Sequence, residues 1–183
     1  DYETVGEDAA GDGESNGVLH GIPVLSLTID PDDFQAVLDS PEHTYSAENC
    51  SIRIDVPEGY ESEYGEIDAS TLGRDISLEY FRGRGNSTWD MPKKPFKIKL
   101  AESEDLLAMG ENSHWVLLAG SMDTVMMRNR LAAYMGRELE LLFTPEFVPV
   151  DFIVNGNYMG CYLLGHHVRI DKNRVDIDKI KND

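Results

Sequence analysis

The sequence predicts an α+β fold, with a mainly antiparallel sheet and one long helix packed on it. Three observations carry this. Several short segments alternate apolar and polar residues with the period of two that a half-buried strand requires, among them "CSIRIDV" (50–56), "DISLEYFRG" (75–83) and "KKPFKIKL" (93–100). Two further apolar segments, "FVPVDFIV" and "YMGCYLL", flank Asn155-Gly156, a dipeptide suited to the tight hairpin turn in which both central residues take positive φ. The stretch "SMDTVMMRNRLAAYMGRELEL" (121–141) is the one long helical segment, with Met127, Leu131, Tyr134 and Leu139 as its apolar face.

The elements follow in order. Residues 1–20, "DYETVGEDAAGDGESNGVLH", are acidic, glycine-bearing and without apolar periodicity, and read as a flexible leader. A single domain is expected over 21–183. "IPVLSLTID" (22–30) is a strand, and "DDFQAVLDS" is a short helix with Phe34, Val37 and Leu38 on one face. Ile52, Ile54 and Val56 share one side of the next strand, before a long polar connection, "PEGYESEYGEIDASTLGR". The strand at 75–83 sets Ile76, Leu78 and Tyr80 against Ser77, Glu79 and Phe81, and its partner sets Phe96, Ile98 and Leu100 against Lys97 and Lys99. The two form a hairpin around "RGNSTWDMP". "HWVLLAG" (114–120) is a short strand, Ser121 can cap the long helix, and Asp123 falls in its first turn, where negative charge is favoured.

The 183 residues carry 34 acidic and 16 basic side chains, a formal net charge of −18, with 41% hydrophobic content. A chain of this size buries roughly 70% of its unfolded surface, enough for one core. The acidic balance opposes nonspecific binding to nucleic acid or anionic membrane without excluding a local basic site. No segment approaches the ~20 apolar residues of a membrane span. Cys50 and Cys161 form no CxxC or Cys/His cluster, which argues against structural zinc; they can pair, or remain free thiols.

Against this acidic background the hairpin is basic. Gly83, Gly85, Asn86, Ser87 and Thr88 offer backbone N–H groups and hydroxyls, and glycine lets a backbone approach an anion closely. Arg82 and Arg84 can fork onto phosphate oxygens, and Lys94, Lys97 and Lys99 can add point charges from the second strand. The loop is not a Walker A sequence, because no Lys-Ser/Thr follows the glycines at the required spacing. It is not the protein-kinase glycine loop either, because Thr88 stands where a third glycine belongs. Phosphate binding and a merely solvated charged hairpin both remain open on composition. Arg128-Asn129, near the start of the long helix, can face solvent or the hairpin. His166 and His167 are adjacent on a strand and point to opposite faces, so they do not share a metal. "DKNRVDIDKIKND" lacks the glycine and the regular carboxylates of a calcium loop. No Ser/His/Asp set stands out, and no catalytic or metal-binding residue is assigned.

Taken together, "FRGRGNSTWDMPKKPFKIKL", "HWVLLAGSMDTVMMRNRLAAYMGREL", "PVDFIVNGNYMGCYLL" and "DKNRVDI" resemble the CotH kinase family (spore coat protein H-like), in order and spacing as well as in wording. The resemblance covers roughly residues 21–180. It implies the N-terminal part of an atypical kinase-like fold that uses ATP with Mg²⁺ and phosphorylates hydroxyls of secreted or surface proteins, as spore coat kinases and cellulosome-type scaffold modules do. It places the protein outside the cell or at its surface, with nucleotide and a protein substrate as partners and no nucleic acid. The implied nucleotide site is Arg82, Arg84, Gly85, Asn86, Ser87, Thr88, Lys94, Lys97 and Arg128. His166 stands where the family has an acidic residue. The family's metal-binding and catalytic aspartates lie downstream of "DKNRVDI", so this chain by itself is expected to be inactive. The alternative is a non-catalytic binding or structural module of a surface scaffold.

Overall fold

The computed structural model describes residues 20–178 apart from 41 and 124. The leader expected at 1–20 therefore lies outside the described residues except for His20. Strand β1 (Val24–Thr28) leads into α1 (Pro31–Leu38), whose start is fixed by Asp30 accepting the backbone N–H of Asp32 and Asp33, and by proline in the first turn. Val37 of α1 is buried and Phe34 packs on the core, as their spacing predicts. Then follow β2 (Ser51–Asp55), a short 3₁₀ turn (Ala69–Thr71), β3 (Asp75–Gly83), β4 (Phe96–Glu104), β5 (Asn112–Leu118), α2 (Arg128–Glu138), β6 (Phe147–Val154) and β7 (Asn157–His166).

The strands are ordered β1-β2-β3-β4-β5-β7-β6, and the sheet closes because β1 pairs in parallel with β6, Val24 opposite Asp151 through Leu27 opposite Val154. The other six pairs are antiparallel. This overturns the expected α+β fold and the kinase-like lobe implied with it. The molecule is mostly strand, the sheet is a closed seven-stranded barrel, and the helices have 8 and 11 residues. The local alternation that marks a strand is the same whether a sheet stays open or closes, so the periodicity carried no sign of closure.

The barrel interior is filled by Leu25, Leu27, Ile52, Ile54, Phe81, Phe96, Ile98, Leu100, Trp115, Val150, Phe152, Tyr162 and Leu164, each almost wholly buried. Phe81, Phe96, Phe152 and Tyr162 form a ring cluster with centroids 4.8 to 6.4 Å apart. Such pairs are worth about 0.5–1.5 kcal/mol each beyond the area they bury. Phe34 of α1 joins it, 6.3 Å from Phe81 and 6.2 Å from Phe96. The phase expected for β3 is wrong in its second half. A bulge between Leu78 and Tyr80 turns Phe81 inward and Tyr80 outward.

The long helix is also corrected. It begins at Arg128 rather than 121, because Met126 takes a left-handed φ of 52° that a continuing helix excludes. Asp123 acts from outside the helix, its carboxylate accepting the Arg128 backbone N–H at 2.8 Å, and Ser121 Oγ donates to the Lys93 carbonyl instead of capping. The apolar face expected of Met127, Leu131, Tyr134 and Leu139 is exposed; Ala133 and Gly136 are the buried positions, with Ala133 packed on Phe147 and Leu163 of the outer barrel wall. Small residues permit the closer approach of helix to sheet. The connection read as simply polar is tied down: Tyr64 OH donates to the Phe147 carbonyl, and Glu63 pairs with Arg130 at 3.0 Å and Arg137 at 3.3 Å. Asn155-Gly156 turns the β6–β7 hairpin with φ of 49° and 83°, as predicted. Cys50 and Cys161 are free.

Candidate functional site

The β3–β4 loop is held by its own interior. Trp89 is buried and meets Phe96 edge-on at 6.2 Å, so the loop is pinned into the core at its middle. Gly83 makes room for that ring: a Cβ there would lie 2.5 Å from it. His43 Nε2 binds the Gly85 carbonyl, the Arg84 N–H donates to the Pro95 carbonyl at 3.2 Å, and Lys94 Nζ donates to the Trp89 carbonyl at 2.6 Å. Gly85 has a φ of +93°, which favours glycine.

With Trp89 turned inward, Arg84 and Thr88 face outward into a cleft of about 260 Å³. Its other wall is the turn between β5 and α2, with Gly120, Ser121, Asp123, Arg128 and Asn129 at its edge. The Ser121 hydroxyl, donating to the Lys93 carbonyl at 2.7 Å, fastens that wall to the hairpin. Burial pulls the Arg84 pKa below its ordinary value, and among the described residues its guanidinium has no carboxylate partner. A partly desolvated cation without a counter-charge favours an anion in that cleft. Arg128, largely exposed, has Asp123 at 3.9 Å.

The nine residues named from sequence separate into distinct places. Arg84, Thr88 and Arg128 line the one cleft. Gly85, Asn86 and Ser87 form the loop that carries Arg84 and Thr88, with the Asn86 carbonyl accepting the Trp89 N–H at 2.9 Å. Lys94 braces the loop from within. Arg82 and Lys97 lie opposite each other on the outer wall and share the Tyr80 ring at 5.1 and 5.8 Å, and Lys97 borders a different groove. Arg128-Asn129, left undecided by sequence, face the hairpin. The role of Asp123 in holding the start of α2 was hidden because the expected helix already enclosed it.

The family model described as CotH kinase protein matches residues 81–183. The chain belongs to the CotH kinase family. The match takes in both walls of the cleft, from the end of β3 through α2, and the β6–β7 hairpin with the segment after it. No curated protein matches the chain closely enough to serve as a named relative. Within this CotH-family barrel, His166 points inward, its Nε2 bonded to the Met109 carbonyl at 2.7 Å, while burial and Arg174 lower its pKa to about 4. Among the described residues no three His, Cys, Asp or Glu side chains gather into a group that could hold a cation. No described helix is long and apolar enough to cross a membrane.

Proposed function

We propose that the Arg84–Arg128 cleft binds the phosphates of ATP, and that the protein serves a kinase reaction in which the γ-phosphoryl passes to a protein Ser or Thr hydroxyl and ADP is released. The observation that supports this is the meeting of Arg84 and Thr88 with Arg128 and Asn129 in one cleft, in a chain of the CotH kinase family. Two guanidinium groups offer forked donors to phosphate oxygens, and the Thr88 hydroxyl adds a neutral donor. Positioning and charge neutralisation are the main contributions a protein makes to phosphoryl transfer. The part of Arg84, Thr88 and Arg128 in this reading is binding and orientation of the phosphates. A secreted or surface location, and a protein acceptor there, rest on the family resemblance alone.

The test is calorimetric titration of the chain with Mg-ATP. Weak, salt-sensitive binding is expected, with affinity falling as ionic strength rises because the cleft is open to solvent. Arg84→Gln and Arg128→Gln should each lower affinity about tenfold, the scale of one charge-assisted hydrogen bond. Unchanged binding in both variants would sink the assignment. A folded chain with no nucleotide binding at all favours a non-catalytic surface module.

A further inference from the structure

The outer wall of the barrel carries a second basic groove, apart from the Arg84–Arg128 cleft. It has a volume of about 480 Å³ and is lined by Lys97 of β4, His114 of β5, and His167, Arg169 and Ile170 from the segment after β7. The two imidazoles come together because β5 pairs with β7, Trp115 opposite His166, which sets the residues beside that pair on one face. Their rings lie 6.1 Å apart and 24° from parallel. His167 Nδ1 is sealed from solvent and has no hydrogen-bond partner, while His114 Nδ1 meets Ser113 Oγ at 3.0 Å. In a chain of net charge −18, the carboxylate that acts on the His114 ring is that of Asp171, which lies 3.7 Å from Arg169 and accepts from the Asn112 side-chain amide. A metal is a poor occupant, since the neighbours are cations and a third ligand is missing among the described residues.

We propose that this groove is a binding site for a tetrahedral phosphoryl-type dianion, held by Lys97 and Arg169 with His114 and His167 as proton-linked donors. Two fixed cations and two imidazoles match an oxyanion that accepts several hydrogen bonds at once. Charge supports this further. Burial first, then Arg169, Lys97 and Lys99, hold His114 down at about 4 despite Asp171; burial, then Lys97, His114, Arg169 and Arg84, do the same for His167. A bound dianion reverses that repulsion, so it raises both pKa values and its binding takes up protons.

Sulfate is the probe, because it stays a dianion throughout the range, so any pH dependence belongs to the protein. Sulfate should bind about tenfold more tightly near pH ~5 than near pH ~7.5, the size of effect expected when the anion makes each of two imidazoles moderately easier to protonate. Calorimetry in buffers of different ionisation heat should register proton uptake. Lys97→Met and the double variant His114→Gln/His167→Gln should weaken sulfate binding at acid pH, and the double variant should abolish the pH dependence. Lys97, His114 and His167 are partly buried on the outer wall, and circular dichroism checks that each variant folds. Arg128→Gln removes sulfate held in the Arg84–Arg128 cleft, which is lined by no imidazole, and should leave the pH-dependent part of sulfate binding unchanged. Binding independent of pH, or a pH-dependent component lost in Arg128→Gln and kept in Lys97→Met, overturns the site. Displacement of sulfate by a phosphoserine peptide but not its unphosphorylated form identifies a phosphorylated protein as the source; displacement by ADP alone identifies a nucleotide. Displacement by neither overturns the phosphoryl assignment.

Discussion

Gly83 carries no side chain because the Trp89 ring occupies the space where one would go, and Trp89 in turn decides which loop residues are left to face the cleft. Gly83→Ala forces the ring to move and should destabilise the protein by about 1–3 kcal/mol, the usual range for overpacking, as measured by urea denaturation. It should also weaken nucleotide binding, since Arg84 and Thr88 ride on the displaced loop. Lys94 illustrates how a residue named for its charge can serve packing. Its ammonium donates to the Trp89 carbonyl and lies 4.9 Å from the indole ring, so Lys94→Met should cost about 1–2 kcal/mol in the same assay. Lower stability at unchanged salt dependence of ATP binding is the expected combination. A steep loss of affinity without loss of stability would instead return Lys94 to the phosphate site.

At the scale of the element, α2 differs most from its sequence pattern. Its large apolar residues face solvent and its small ones face the barrel. Leu131→Ser should therefore change stability by less than about 0.5 kcal/mol, as for an ordinary surface position. Ala133→Leu should destabilise by about 1–3 kcal/mol, because Ala133 is 4% exposed against Phe147 and Leu163. A helix buried by its large residues would give the opposite order, so urea melts of the two variants decide it. The paired contacts of Glu63 with Arg130 and Arg137 guide the helix onto the wall, although exposed ion pairs of this kind contribute little energy individually.

At the scale of the whole molecule, the pH dependence of stability follows from four buried or half-buried groups. His114, His166 and His167 are each held at about 4, burial being the largest cause in all three. A depressed folded pKa contributes stability above the unfolded value near ~6.5 that is lost as pH falls towards ~4. Glu146 acts in the other direction. Burial pushes it up to about 7, so its contribution is present below its unfolded pKa and is lost as pH rises through about 7. Three imidazoles outweigh one carboxyl, so the melting temperature should fall on acidification from ~6.5 to ~4. His166→Gln should flatten that fall. Glu146→Gln should steepen it, because the compensating gain is removed. A melting temperature constant across this window in the unaltered protein contradicts the assignment.

Much of the local structure was legible in the amino-acid order. The capping Asp30, the period-two runs of β2 and β4 and the Asn155-Gly156 turn are set by residues within a few positions of one another, and local sterics and hydrogen bonds decide them. The basic hairpin, too, stood out against an acidic chain. The tertiary structure alone decided what depends on distant partners. Closure came from β1 lying beside β6, more than a hundred residues away, and the side of α2 to bury came from the wall that Phe147 and Leu163 present. The meeting of Arg84 with Arg128, and of His114 with His167, came from strand order. Sequence fixes which side chains an element carries and their period along it. Only packing fixes which elements become neighbours, and the Arg84–Arg128 cleft and the Lys97–Arg169 groove both lie where neighbours meet.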